Sequence, residues 1–184
     1  MEDVRVSGTI LSDQIRLMRD LHGEELVARA IATLQPKLRE EVEGILPGRW
    51  LTIDAARELK NAVARELGED PIELQKRIVR QAIERTLNTF WRFFMRQFSD
   101  EALTKRTPIL YSRTFDRGSL ELVRVGDGEA DLELEGWPRI PEYDLVGLMS
   151  GIETVLTLAG RVGVHVTSSR RGSVVTITAK WTRR

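Results

Sequence analysis

The spacing of apolar residues changes from helical to alternating near residue 106, and this change constrains the fold more than any other feature of the sequence. Upstream, apolar residues recur every three or four positions, as they do on one face of a helix. Downstream, they alternate with polar residues in two stretches that a further helical segment separates. Helices first and strands later are typical of an α+β fold rather than of a parallel α/β sheet.

The clearest helix is predicted to begin after Asp70 and to run to Phe98. Asp70 can accept hydrogen bonds from the first free backbone N–H groups, and Pro71 suits the first helical position. Glu73 follows the cap by three residues and can reach back to it. Because neither glycine nor proline interrupts the stretch, a rise of about 1.5 Å per residue predicts a central helix of roughly 40 Å.

The C-terminal part is predicted to form two β-hairpins with a helix between them. Residues 126–128, Gly-Asp-Gly, are the turn signal of the first hairpin, and residues 168–172 are that of the second. A helical period over 145–159 separates the two hairpins. We therefore predict a four-stranded antiparallel sheet with helices over one face.

The length of the chain suits one domain. A chain of 184 residues can bury enough surface to need no disulfide or metal for stability. We predict a single domain over residues 1–184, with a helical layer containing the long helix over 1–106. The antiparallel sheet and its one helix are predicted over 107–184.

Composition excludes several classes of function. Lys and Arg number 28, and Asp and Glu also number 28, so no long-range attraction to a nucleic acid is expected. The lack of cysteine excludes disulfides and cysteine nucleophiles. No apolar run approaches the roughly 18 residues of a membrane span, and the N-terminus has no signal-peptide pattern, so a cytoplasmic protein is expected.

Histidines and carboxylates do not form a recognisable metal or catalytic site in the sequence. His22 and His165 lie in different predicted elements, whereas a zinc site needs four converging ligands. Asp131, Glu133 and Glu135 share one face of a predicted strand. They could gather a cation or pair with arginines of a neighbouring strand, and a plain exposed sheet face is the alternative. No metal, cofactor or catalytic residue is therefore assigned.

The sharpest local signal is the aromatic stretch over residues 90–98. Its apolar side chains occupy three faces of the predicted helix, so something other than water should cover several sides. Trp91, Phe94 and Met95 are candidates for a ligand or partner contact, with Arg92 among them. A buried core, a contact with a second subunit or another protein, and an apolar ligand pocket all remain open interpretations.

The assembled pattern resembles a myxobacterial paralogous family of unknown function. The resemblance spans most of the chain and rests on short motifs: Val6-Ser7-Gly8, the break before Trp50, the long helix, Tyr111-Ser112-Arg113-Thr114-Phe115-Asp116, Gly136-Trp137-Pro138 and Lys180-Trp181. That family is similar in outline to the haem-nitric-oxide-binding and vinyl-reductase-like domains, which share helices over an antiparallel sheet. The resemblance implies a small-ligand-sensing or protein-contact module, often with a two-fold partner.

One departure from the haem-binding relatives bears on the cofactor. Those relatives use a histidine on a helix and a Tyr-x-Ser-x-Arg pattern for the haem propionates. Here Tyr111, Ser112 and Arg113 are contiguous, and the long helix has no histidine, so haem ligation of that kind is not expected. The resemblance instead implies an apolar pocket, with Arg113 or Arg92 as an anion anchor.

The sequence as a whole predicts a non-enzymatic regulatory or sensory binding module. It would form a homodimer or dock a protein partner through its helical layer, and it could hold a small apolar or anionic ligand. The contact residues predicted for that ligand or partner are Trp91, Arg92, Phe94, Met95, Tyr111 and Arg113. The alternative is a small-molecule enzyme with a carboxylate, an arginine and Tyr111 as proton donor, which requires a cleft near Tyr111 and Arg113.

Overall fold

The structure, a computed structural model, describes residues 4–87, 95–137 and 139–182. It confirms the predicted fold class, with an N-terminal helical region and a C-terminal four-stranded antiparallel sheet. The chain divides into two compact units. The helical unit is Met1–Ala82 with Thr114–Asp116, and the sheet unit is Ile83–Arg113 with Arg117–Arg184. The single domain with an internal boundary near residue 106 stays a prediction.

The helical unit packs its helices beside a small two-stranded sheet. Its elements are β1 (Arg5–Ser7), α1 (Gly8–His22), α2 (Glu24–Ala32), α3 (Pro36–Glu43), β2 (Trp50–Thr52), α4 (Ile53–Leu67) and the first part of α5 (Pro71–Thr86). β1 pairs antiparallel with β2, and a bridge from Val6 to Phe115 joins the segment 114–116 to this unit. Helix α4 contacts α2 and α3, and α1 contacts α2. The apolar faces of these helices form one buried core.

The predicted helix start at Asp70 is confirmed by its hydrogen bonds, and Thr52 caps α4 in the same way. Asp70 Oδ1 accepts from the backbone N–H groups of Ile72 (2.8 Å) and Glu73 (3.0 Å). Thr52 Oγ1 accepts from the N–H of Ala55 at 3.3 Å. Both caps satisfy donors that the first helical turn leaves without partners. Helix α5 is described as far as Thr86, and its predicted continuation crosses residues 88–94, which lie outside the described residues.

The sheet unit is built from two hairpins that meet at their inner strands. Its elements after residue 99 are α6 (Asp100–Thr104), α7 (Thr107–Thr114), β3 (Ser119–Gly126), β4 (Glu129–Glu135), α8 (Glu142–Leu158), β5 (Val162–Arg171) and β6 (Val174–Thr182). The strand order is β3-β4-β6-β5, with every pair antiparallel. The predicted order of hairpin, helix and hairpin is therefore confirmed.

The register of the sheet separates an apolar face from a polar one. Leu132 pairs with Ile177 and Ala130 with Ala179, and all four side chains are buried. Helix α8 contacts β5 and β6. On the opposite face lie the acidic residues of β4, as their alternation with these apolar positions requires.

The second hairpin turn lies later than its predicted position at 168–172. Strand β5 continues through Arg171, and only Gly172 and Ser173 form the turn. Ser169 stays in the ladder opposite Thr176, because an exposed edge strand tolerates polar side chains. The serines and arginines of this segment therefore reflect solvent exposure and do not mark the end of the strand.

A buried arginine anchors the connection between α8 and β5. Arg161 is 8% exposed in its side chain and faces Asp100, which is 2% exposed. Its Nε and Nη2 both donate to Asp100 Oδ1, at 3.0 and 2.7 Å. Its remaining bonds go to the backbone oxygens of Ala159 and Phe98, each at 2.7 Å. A buried guanidinium with this many acceptors is a strong local constraint.

Candidate functional site

A groove in the sheet unit lies between helix α7 and the start of strand β3. Eight residues line it: Pro108, Ile109, Tyr111, Ser112, Gly118, Ser119, Leu120 and Glu121. Its volume is about 280 Å³, close to the lower end of the roughly 300–1,000 Å³ that small-molecule sites occupy. The groove can therefore take a short segment of a ligand along the strand.

Tyr111 joins the two walls of the groove. Its side chain is buried, with 3% of the residue exposed, although it belongs to the short helix α7. Its hydroxyl donates to the backbone oxygen of Arg117 at 2.8 Å. Because Arg117 immediately precedes the groove wall at Gly118, this bond fixes the path of the chain as it enters β3.

Two glycines allow the backbone of this wall to pass close to β4. Gly118 has a φ of +75°, and a Cβ on it would lie 2.6 Å from the backbone oxygen of Glu135 and 2.9 Å from the Tyr111 hydroxyl. Gly136 also has a φ of +75°, and its Cβ would lie 2.9 Å from the Cα of Gly118. Both positions require glycine, since the left-handed region and the contact distances each exclude a side chain. The wall is therefore preorganised.

The lining combines apolar, hydroxyl and acidic groups. Pro108 and Ile109 supply apolar surface, Leu120 is buried beneath it, and Glu121 is the one charged residue among the described residues of the lining. Ser112 Oγ donates to the backbone oxygen of Ile109 at 3.0 Å, so this hydroxyl is oriented by its own helix. The groove presents apolar surface on one side and a carboxylate on the other.

Beside the groove, the polar face of the sheet carries paired and unpaired carboxylates. Asp131 Oδ2 accepts from Arg124 Nε and Asp131 Oδ1 from Thr178 Oγ1, both at 2.8 Å. Burial raises the pKa of Asp131, but these hydrogen bonds and the charge of Arg124 outweigh that effect and hold it below its usual value. Of the interpretations left open for this acidic face, pairing with an arginine of a neighbouring strand is the one found at Asp131. By contrast, Glu121 lies opposite Glu133, and neither carboxylate has a cationic partner among the described residues.

Of the residues predicted to contact a ligand or partner, those that the structure describes do not all lie at the groove. Tyr111 lines the groove, whereas Arg113 is exposed on α7 and is not part of the lining. Met95 is buried in the sheet unit, with 8% of the residue exposed. Trp91, Arg92 and Phe94 lie outside the described residues. The roles of these residues in binding therefore stay predictions.

Most of the groove was not predicted from the sequence. Ile109, Ser119, Leu120 and Glu121 looked like ordinary helix and strand positions, because nothing in their local pattern shows that α7 and β3 face each other. The available signal was Gly118, a lone glycine at the start of a strand, which indicates a close backbone approach.

Solved structures with similar backbones extend over almost the whole chain. The unliganded Fe(II) H-NOX protein from K. algicida superposes with a TM-score of 0.70 at 9% identity, covering 97% of each chain. A T. Tengcongensis H-NOX mutant gives 0.59 at 18% identity, covering 95% of this chain and 97% of that one. An oxygen complex of an oxygen-binding H-NOX domain related to soluble guanylate cyclases gives 0.59 at 18% identity, covering 95% and 94%. No protein-family model and no curated protein matches the sequence.

The chain has the H-NOX fold. The predicted similarity in outline to haem-nitric-oxide-binding domains is therefore confirmed for the fold. Membership of the myxobacterial family stays a prediction. Within the described residues, no helix combines the length and the hydropathy needed to cross a membrane.

One similar structure probes haem distortion in the H-NOX family, so the positions of the histidines and of the groove tyrosine bear on haem binding. The sequence has two histidines and no cysteine. His165 is exposed on edge strand β5, opposite Lys180 of β6. His22 ends α1 in the helical unit. Neither histidine lines the groove, and the Tyr111 hydroxyl in the groove donates a hydrogen bond to the Arg117 backbone oxygen. The described residues of the groove therefore do not supply an axial ligand for haem iron.

His22 has a distinctive environment of its own. Its Nε2 is buried and has no hydrogen-bond partner among the described residues. Burial lowers the pKa of His22, nearby Arg77 lowers it further, and Glu69 partly offsets both effects. Arg77 and Glu69 form an ion pair with each other. In the part of the chain that the structure describes, no three His, Asp or Glu residues are grouped to hold a metal ion.

Proposed function

We propose that this chain is a non-enzymatic sensory or regulatory binding module, and that the groove between α7 and β3 is its binding site. The observation that carries the proposal is the preorganised wall of the groove, held by the Tyr111–Arg117 hydrogen bond and the contact between Gly118 and Gly136. A wall fixed before binding lowers the entropic cost of holding a ligand. The fold supports the same proposal, since one similar structure is the oxygen complex of an oxygen-binding domain.

The groove provides the cleft at Tyr111 that the enzyme alternative requires, but the groups that would act in it are not suitably placed. That alternative needs Tyr111 to deliver a proton to a substrate, but its hydroxyl donates to the Arg117 backbone oxygen. It also needs an arginine in the cleft, and Arg113 is not part of the groove lining. A rigid wall with one exposed carboxylate suits recognition more than proton transfer.

Self-association is a separate proposal. It rests on the aromatic stretch 90–98 of the sequence, of which residues 90–94 lie outside the described residues. The measurement that tests it is the sedimentation mass of the protein over a range of concentrations. A mass that stays that of one chain would contradict the homodimer.

Native mass spectrometry of the freshly purified chain tests the binding site. We expect a retained small molecule or protein partner, and we expect Ser112→Phe to remove it, because Ser112 is exposed and a ring there would fill the groove. Ser173→Phe, in the exposed turn of the second hairpin, is the matched control and should retain it. A wild-type chain without any adduct, or an adduct that Ser112→Phe does not affect, would contradict the groove as the site.

A further inference from the structure

Strand β3 forms one edge of the four-stranded sheet. It pairs with β4 on one side, and no described strand lies on its other side. In an antiparallel pair, alternate residues direct their backbone N–H and C=O groups away from the partner strand. No described strand takes up these outward groups of β3, although helix α6 contacts the strand. An extended chain can add to an edge of this kind.

The groove leaves room beside the first part of this edge. Its strand wall is Ser119, Leu120 and Glu121, and its opposite wall is the α7 face that carries Pro108 and Ile109. Ile109 is 54% exposed. The pairing of β3 with β4 becomes irregular only after Leu122, so the groove coincides with the regular part of the edge.

The two faces of an added strand would meet different surroundings. Side chains of a β-strand alternate between faces. Leu120 is buried on the apolar face, whereas Glu121 is exposed on the polar face. An added strand would therefore place every second side chain near the apolar wall and the others beside Glu121.

Charge determines which side chains of an added strand suit the positions beside Glu121. Glu121 and Glu133 lie directly opposite each other in the ladder, and like charges in that position are destabilising. A cationic side chain next to Glu121 on an added strand would replace this repulsion by an opposite-charge pair. A second copy of β3 would supply only Arg124, which already binds Asp131 and Glu129.

We infer that the occupant of the groove is an extended peptide of a partner protein, with basic and aliphatic residues in alternation, which adds as a fifth strand to β3. The inference deepens the proposed function and rests on it, because it names the ligand class of the same groove. Main-chain hydrogen bonds to β3 supply affinity, the exposed Ile109 selects the aliphatic residues, and Glu121 selects the basic ones.

Fluorescence anisotropy with three labelled pentapeptides tests the inference on the full chain. The probes are Lys-Val-Lys-Val-Lys, its Glu-Val-Glu-Val-Glu counterpart, and the lysine peptide with alternate backbone nitrogens methylated. We expect the lysine peptide to bind, and the acidic and methylated peptides each to bind at least about tenfold more weakly. Equal binding of the methylated peptide would overturn strand addition, and equal binding of the acidic peptide would overturn charge selection.

Variants and hydrogen exchange locate the bound peptide. Glu121→Gln should weaken the lysine peptide roughly two- to fivefold, as expected for one exposed ion pair. Glu40→Gln removes the same charge from an exposed position on α3 and should leave binding unchanged. The peptide should slow amide exchange in residues 119–122. Slowing in edge strand β5 instead would overturn the inference.

The failures of the two proposals can be told apart. If Ser112→Phe removes a native adduct but no lysine peptide binds, the groove remains the binding site and the peptide class is wrong. If the wild-type chain carries no adduct and no peptide binds, both proposals fail.

Discussion

A methyl group has no room at Gly118, and this residue shows how tightly the groove wall is built. A Cβ there would clash with the backbone oxygen of Glu135 at 2.6 Å, in a backbone conformation that L residues rarely adopt. Gly172 has a similar φ of +61° but open space around it. Comparing the two glycines therefore separates the cost of the left-handed conformation from the cost of the close contact.

Replacing each glycine by alanine should give different losses of stability. We expect Gly172→Ala to lower the free energy of unfolding by about 1–2 kcal/mol, the cost of the left-handed conformation alone. Gly118→Ala should lower it by at least about 1 kcal/mol more, because a backbone oxygen cannot move aside cheaply. Urea unfolding followed by circular dichroism measures both values. Equal losses of stability would mean that Gly118 does not lie as close to the backbone oxygen of Glu135 as the structure places it.

His22 makes the stability of the chain sensitive to mildly acidic pH. The pKa of its imidazole is lowered, first by burial and then by Arg77, with Glu69 acting in the opposite direction. Between this lowered pKa and the usual value of about 6.5, the unfolded chain binds more protons than the folded chain. The contribution of His22 to stability is therefore fully present above the unfolded pKa and is lost as the pH falls through the window.

A His22→Gln variant should remove this part of the pH dependence. We expect the unfolding free energy of the wild-type chain to fall more steeply between neutral and mildly acidic pH than that of the variant. Urea titrations at a series of pH values give both profiles, and an NMR titration of the His22 ring gives its pKa directly. A ring that titrates above the usual histidine value would contradict the burial of Nε2.

At the scale of elements, the Arg161–Asp100 pair holds the α8–β5 connection to the start of α6. Removing one partner from a buried ion pair leaves the other charge without compensation, which typically costs about 3–5 kcal/mol. We expect Asp100→Ala to show a loss of this size in chemical denaturation. The double variant Asp100→Ala with Arg161→Met should lose less than the sum of the single variants. Additive losses would show that the two side chains do not interact.

Helix starts and strand order were predictable because local chemistry decides them. Asp70 and Thr52 cap helices with their own side chains, and the Asp127-Gly128 turn closes the first hairpin. The position of the second turn was not predictable from polarity, since Ser169 and Arg170 remain within β5. Edge strands tolerate polar residues, so their ends have to be found from glycines such as Gly172.

At the scale of the whole molecule, the fold was more predictable than the site. The change of period near residue 106 was enough to predict helices followed by an antiparallel sheet. Tyr111 was predicted as a contact residue, and it lines the groove. Glu121 was missed because its role depends on which element faces β3 and which residue of β4 lies opposite. Both are long-range consequences of the fold that the local pattern of β3 does not contain.

The H-NOX fold and the residues of this chain lead to different expectations about haem. The fold is shared with iron-containing H-NOX proteins, yet His22 and His165 lie in different units and neither lines the groove. An axial ligand needs a side chain that projects into the haem pocket and is free to bind iron. Tyr111 is directed to the Arg117 oxygen instead.

We therefore expect added hemin to produce no one-to-one Soret band in titrations of the purified chain. Any weak absorbance should be sub-stoichiometric and should persist in the His22→Ala and His165→Ala variants, since hemin also binds to apolar surfaces without a built site. Tyr111→Phe serves as a third variant, because phenolate is a known haem ligand. A saturable one-to-one band that one of these substitutions abolishes would identify an axial ligand and contradict this expectation. The groove between α7 and β3 would then have to be a second site, separate from that of haem.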